Sequence, residues 1–119
     1  MKNTQKGRKN EEIAARFLQE KGYIILERNW RSGKKEIDII SEKDDYLVVA
    51  EVKSGLQSFL LRPEESVSRK KQKMIVEAAE AYIIKNEISK EVRFDVIFVT
   101  GDTSSVNIEH IPDAFYPIL

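Results

Sequence analysis

Residues 36–53, EIDIISEKDDYLVVAEVK, hold two β-rich apolar runs separated by Asp44-Asp45. Ile37, Ile39, Ile40, Val48, Val49 and Val52 place apolar side chains at both odd and even positions. Successive residues of a strand point to opposite faces, so such strands read as covered on both sides. A sheet of that kind needs helices packed on it. The chain has 119 residues, enough for one domain with a single core.

The flanking sequence supplies the covers. NEEIAARFLQEK (10–21) reads as a helix with Asn10 as its cap, Glu11 and Glu12 in its first turn, and Gly22 at its end. Ile13, Ala14, Phe17 and Leu18 form its apolar stripe. Residues 1–9 are polar and are expected to fray. Residues 66–86 read as a longer helix, with Lys71, Met74, Ile75, Ala78, Ala79, Tyr82 and Ile83 on one face. Strands are expected over 23–30, 36–41, 46–54, 92–100 and 106–111, with a turn over 31–34 and a loop over 55–65. The expected order is α-β-β-β-α-β-β. That is an α/β domain spanning 1–119, a small mixed sheet flanked by helices.

Composition removes several chemistries. Without cysteine there are no disulfides, thiolate nucleophiles or Cys-type zinc sites, which fits a reducing compartment such as the cytoplasm. His110 is the lone histidine, which excludes His-cluster metal sites and disfavours histidine acid–base catalysis. No apolar run approaches membrane-spanning length, the basic N-terminus lacks the apolar stretch of a signal peptide, and no glycine-rich phosphate loop is present. The 20 basic and 20 acidic residues cancel, but unevenly. Residues 1–35 hold 10 basic and 4 acidic residues, whereas 36–61 hold 2 and 6.

Four of those charges fall in the apolar hairpin. With Asp44-Asp45 as a two-residue turn, Lys43 faces Tyr46, Asp38 faces Glu51 and Glu36 faces Lys53. All four charged residues then share one face at the open end of the hairpin. An exposed edge hairpin with a Glu36–Lys53 cross-strand pair is one explanation. The other starts from the cost of desolvating clustered carboxylates, which an apolar strand avoids. Paired carboxylates suit a hard divalent cation, and a lysine beside them can hold a phosphate oxygen or stabilise developing negative charge.

An acidic strand residue followed on the next strand by Glu-x-Lys resembles the PD-(D/E)xK signature of restriction-endonuclease-like nucleases. The chain is more closely similar to the YraN-like family of predicted bacterial endonucleases. Matching segments are Glu11 with Ala14-Ala15 and Leu18, then Gly22-Tyr23, Arg28-Asn29-Trp30-Arg31, Glu36-Ile37-Asp38-Ile39-Ile40 and Glu51-Val52-Lys53. Lys71-Gln72, Arg93-Phe94-Asp95-Val96 and Ala114-Phe115 continue the match. The chain departs from the family's usual glycines at Asn10, Lys35 and Arg62, and from its frequent arginine at Gly55.

The resemblance implies a restriction-endonuclease-like fold and hydrolysis of nucleic-acid phosphodiesters with Mg²⁺ or Mn²⁺. Asp38 and Glu51 would be metal ligands and Lys53 the catalytic lysine. Glu11 would join them from the first helix, as ligand and catalytic residue, directly or through water. Helical geometry favours Glu11 over Glu12: Glu11 lies about 80° from the centre of the apolar stripe and Glu12 nearly opposite it.

Arg31, Arg69, Lys70 and Lys71 are the candidate nucleic-acid contacts. Lys71 also reads as a snorkelling lysine and the basic cluster as a solvated face. Trp30 reads as a rim cover for the core ahead of a base-stacking platform, and Asp95 as the structural partner of a basic neighbour. The expected partner is nucleic acid, DNA ahead of RNA, with no membrane. A homodimer would let a small nuclease act on two strands. The rival function is a binding module that holds nucleic acid or protein without cutting.

Overall fold

A computed structural model describes residues 5–55, 63–102 and 104–115. The central hairpin forms as its apolar runs predict. Strands β2 (Lys35–Lys43) and β3 (Tyr46–Ser54) are joined by Asp44-Asp45, with Lys43 paired to Tyr46 and Ile39 to Ala50. Strand β1 (Ile24–Ser32) lies antiparallel on the outer side of β2. Beyond β3, the chain crosses through helix α2 (Arg69–Asn86) and returns as β4 (Glu91–Asp102), parallel to β3. Strand β5 (Ser105–Phe115) closes the sheet antiparallel to β4, and helix α1 (Gln5–Glu20) precedes β1. The sheet order is β1-β2-β3-β4-β5. This is the expected mixed α/β architecture in the expected order.

The two helices cover opposite faces. On one side Leu47, Val49, Phe94, Val96 and Phe98 pack under Ile75, Ala78, Ala79 and Tyr82 of α2. On the other side Ala50, Val52, Ile97 and Val99 pack under Ala14, Ala15 and Leu18 of α1. The alternation along β3 and β4 assigns each residue to its helix. Trp30 joins the α2 side, edge-on to Tyr82 with ring centroids 5.2 Å apart, and so serves the core.

Several element ends differ from expectation. Helix α1 starts at Gln5, so residues 5–9 are helical rather than frayed, and Asn10, Glu11 and Glu12 lie inside the helix. Asn10 is buried and donates from Nδ2 to Ser54 Oγ at 2.7 Å, a tertiary bond in place of a cap. The other end stops at Gly22 as expected, closed by Tyr23 N–H on the Leu18 carbonyl. Residues 63–66 form a short 3₁₀ turn, and α2 begins only at Arg69, capped by Ser68, whose Oγ accepts from Lys71 N–H. Most of the expected 55–65 loop lies outside the described residues. The turn after β1 contracts to Gly33-Lys34, because Arg31 and Ser32 remain paired in the strand. Strand β5 runs on to Phe115, which stacks on Phe94 and makes strand of the expected tail.

Candidate active site

The alternation that holds along β3 fails on β2. Ile37 belongs to the α2-side core and Ile39 to the α1-side core, although they are two residues apart. The pleat therefore changes phase at Asp38. Across from it on β1, Asn29 takes a left-handed backbone (φ 53°), between the pairs Arg28–Ile39 and Trp30–Ile37. Pairing of β2 with β3 also ends here, at Ile39–Ala50. Beyond that point Val52 N–H donates to Asp38 Oδ2 at 2.8 Å, so a side chain takes over from the backbone ladder. Glu36 and Lys53 remain paired to β1 and β4 respectively.

A groove of about 670 Å³ opens where the two strands part. Glu36, Asp38, Glu51 and Lys53 all line it, together with Arg31, Lys34, Glu65, Ser66, Ser68 and Lys71. The four charges do share one site, but the full ladder inferred from the register does not bring them together. The expected Asp38–Glu51 and Glu36–Lys53 cross-strand pairs are absent from that ladder. Glu36 instead pairs with Arg31 at 3.1 Å across β1 and β2. Lys53 Nζ lies 3.9 Å from Glu51 Oε2, and Lys71 Nζ reaches the same oxygen at 3.8 Å.

Burial sorts these groups. Asp38 is 4% exposed and Glu51 3%, whereas the Lys53 and Lys71 side chains are 33% and 41% exposed. The carboxylates form the floor and the ammonium groups lie nearer to solvent. Carboxylate oxygens are the ligands that hard divalent cations take, and ammonium groups are the partners that phosphate oxygens take, so the groove lining carries both kinds of group.

Glu11 is 1% exposed and points inward, while Glu12 is exposed and pairs with Arg16, as the helical wheel indicates. Glu11 precedes Ala14, Ala15 and Leu18 on the stripe that covers the α1 side of the sheet, and it is not among the groove-lining residues. Among the described residues, no three His, Asp or Glu side chains converge closely enough to hold a cation by themselves. Mg²⁺ needs fewer, since it commonly takes one or two protein carboxylates and completes its shell with water and substrate phosphate. Asp38 and Glu51 supply two such carboxylates to one groove.

Of the cations expected to meet nucleic acid, Arg31 and Lys71 line the groove, whereas Arg69 and Lys70 are exposed outside it. Lys34, Glu65, Ser66 and Ser68 are lining residues that the sequence did not single out. Ser68 had a signal, a serine three residues ahead of a helix-facing Lys71, which is a cap pattern. Lys34 had none, because its place depends on the β1–β2 turn. Of the departures from the family pattern, Arg62 lies outside the described residues. Lys35 turns towards α2 and lies 3.7 Å from Glu77. Gly55 takes φ 118°, a conformation strained for any L side chain, so an arginine there would need another backbone path.

A second polar cluster sits on the α1 side of the sheet, outside the groove. Arg93 grips Asp95 with two hydrogen bonds of 2.9 and 2.8 Å, and also donates to Tyr23 Oη. His110 Nε2 lies 2.7 Å from Asp95 Oδ2, and Asp113 N–H donates to Oδ1. Burial pushes the Asp95 carboxyl up, but the His110, Arg93 and Asp113 hydrogen bonds outweigh it and hold the group below its ordinary value. This is the structural pair expected of Asp95, with His110 as an added member.

The model of the family described as "Uncharacterised protein family UPF0102" matches residues 10–99. A UPF0102 protein of Bacteroides thetaiotaomicron is 43% identical over 113 residues, covering 95% of this chain and 93% of the relative. One from Flavobacterium psychrophilum is 42% identical, with 92% of each chain covered. One from Porphyromonas gingivalis is 45% identical over 116 residues, covering 96% of this chain and 85% of the relative.

Proposed function

The chain belongs to the UPF0102 family, whose matched span includes every groove residue, and we propose that the groove is the active site of a metal-dependent endonuclease. The observation that supports this is the meeting of buried Asp38 and Glu51 with Lys53 where β2 and β3 part. A fold built only for stability has no reason to bury two carboxylates beside two ammonium groups in an open groove. The resemblance to YraN-like and PD-(D/E)xK nucleases supports the same reaction and the same three residues.

Hydrolysis adds water across a phosphodiester. A P–O bond forms to the water oxygen, the P–O bond to the leaving ribose oxygen breaks, and the water's proton balances the leaving alkoxide. Mg²⁺ or Mn²⁺ held by Asp38 and Glu51 would supply Lewis acidity and lower the pKa of the attacking water. The Val52 N–H holds Asp38 Oδ2 at 2.8 Å and would help to orient the carboxylate for this role. The Lys53 ammonium sits beside Glu51 and can meet the negative charge that grows on the phosphoryl oxygens. Lys34 and Lys71 line the same groove and would hold flanking phosphates. Glu11 would act from the neighbouring helix as a positioning residue, through water.

A cleavage assay tests the proposal. Purified protein is incubated with Mn²⁺ or Mg²⁺ and single-stranded, duplex or branched DNA, or RNA. Wild type should cut at least one of these, and Asp38→Ala and Lys53→Ala prepared alongside should not. Equal cleavage by all three preparations would identify a contaminant. Binding without cleavage would favour the binding module.

A further inference from the structure

Glu51 Oε2 has an ammonium on each side, and the two lysines hold it in different ways. Lys53 lies on the same strand two residues on, so its Cα keeps a fixed distance from that of Glu51, and its ammonium lies 3.9 Å from Oε2. Lys71 comes from the first turn of α2, on a flexible stem with a 41% exposed side chain. A cation in the first turn of a helix opposes the helix dipole, and that turn contains no acidic residue. The attraction of buried Glu51 therefore accounts for the position of the Lys71 ammonium.

This arrangement has a consequence for any divalent cation at Glu51. An added double positive charge would meet two ammonium groups less than 4 Å from the same carboxylate oxygen. The cation and Lys71 compete for one buried carboxylate. A backbone phosphate entering between Ser66, Ser68 and Lys34 offers Lys71 a second anion, on the solvent side of the groove.

We propose that Lys71 couples the two ligands: it neutralises Glu51 in the metal-free protein, and a nucleic-acid phosphate draws it away and so opens Glu51 to the divalent cation. The coupling is reciprocal, as linkage requires, so bound cation also frees Lys71 for phosphate. A nuclease built this way loads its metal with its substrate. The inference rests on the assignment of Asp38 and Glu51 as the metal-holding pair.

The test measures Mn²⁺ affinity of the protein alone, from the electron paramagnetic resonance signal of free Mn²⁺. Lys71→Met should bind Mn²⁺ roughly fivefold tighter than wild type, the factor expected for losing one half-exposed ion-pair partner. Lys71→Arg keeps the charge and should match wild type. Lys71→Met should also bind a fluorescein-labelled DNA duplex more weakly without metal, read by anisotropy. Mn²⁺ binding by wild type but not by Asp38→Asn, with Lys71→Met no tighter than wild type, would overturn the coupling and leave the metal site standing. Equal tightening by the Arg and Met variants would overturn it too. No Mn²⁺ binding by any variant would overturn the metal site, and the coupling with it.

Discussion

Asp38 and Lys53, both proposed to act in cleavage, differ in what else each supports. Lys53 is partly exposed, and its removal should leave the thermal midpoint nearly unchanged while cleavage falls about 10²–10³-fold, the usual cost of losing a charge aimed at the transition state. Asp38→Ala removes the acceptor of a buried backbone N–H, so denaturant unfolding should show a loss of about 1–3 kcal/mol beside the loss of activity. Asp38→Asn retains an acceptor oxygen and should recover most of the stability without the activity. Asp95 lies outside the groove and is held by Arg93, His110 and the Asp113 N–H. Its folded pKa lies below the ordinary carboxylate value of about 3.9, so its contribution is present above that pH and is lost as pH falls towards the folded value. Asp95→Asn should therefore flatten the acid limb of the stability curve. It should also cost about 3–5 kcal/mol at neutral pH, because Arg93 loses its carboxylate. At this scale the sequence was informative where periodicity applied. The wheel separated buried Glu11 from exposed Glu12, and strand alternation put Asp95 beside Arg93. It was uninformative where a partner came from elsewhere in the chain, as Arg31 does for Glu36 and Lys71 for Glu51.

At the level of elements, the type and order of every helix and strand were legible, and the ends were not. Ends depend on caps and on packing that local pattern does not contain. Asn10 had the chemistry of a cap, but a bond to Ser54 on β3 placed it inside the helix. Helix α2 ends on Glu87 in a left-handed conformation (φ 51°), its N–H closing on the Ile83 and Ile84 carbonyls. Glycine is the residue that tolerates this, so Glu87→Gly should stabilise the protein by about 0.5–1 kcal/mol in chemical denaturation. The β4–β5 turn makes the opposite demand. A Cβ on Gly101, at φ 96°, would clash with the Ser105 carbonyl oxygen. Gly101→Ala should force this hairpin to rearrange and lower stability by more than about 1 kcal/mol.

The whole molecule has no net charge, so its long-range field should do little to attract a polyanion. Under the proposed function, affinity for nucleic acid is expected from the groove cations Arg31, Lys34, Lys53 and Lys71. Each phosphate contact contributes roughly 0.9 to the slope of log affinity against log salt on duplex DNA. Lys34→Ala should lower that slope by about one, and Arg69→Ala, outside the groove, should change it less; a salt titration by anisotropy distinguishes them. Among the described residues no helix is long and apolar enough to cross a membrane.

The residue pattern by itself determined a doubly covered β2–β3 hairpin, the helices that cover it and the placing of Glu36, Asp38, Glu51 and Lys53 within it. These follow from periods of 2 and 3.6 residues, which are local. Tertiary structure alone decided that the strands part at Asp38, that the pleat changes phase opposite a left-handed Asn29, and that α2 brings Lys71 and Ser68 to the opening. Those outcomes depend on how a helix from beyond β3 and a strand before β2 pack on the same sheet. The contacts that set such packing join residues far apart in the chain, so no local pattern records them.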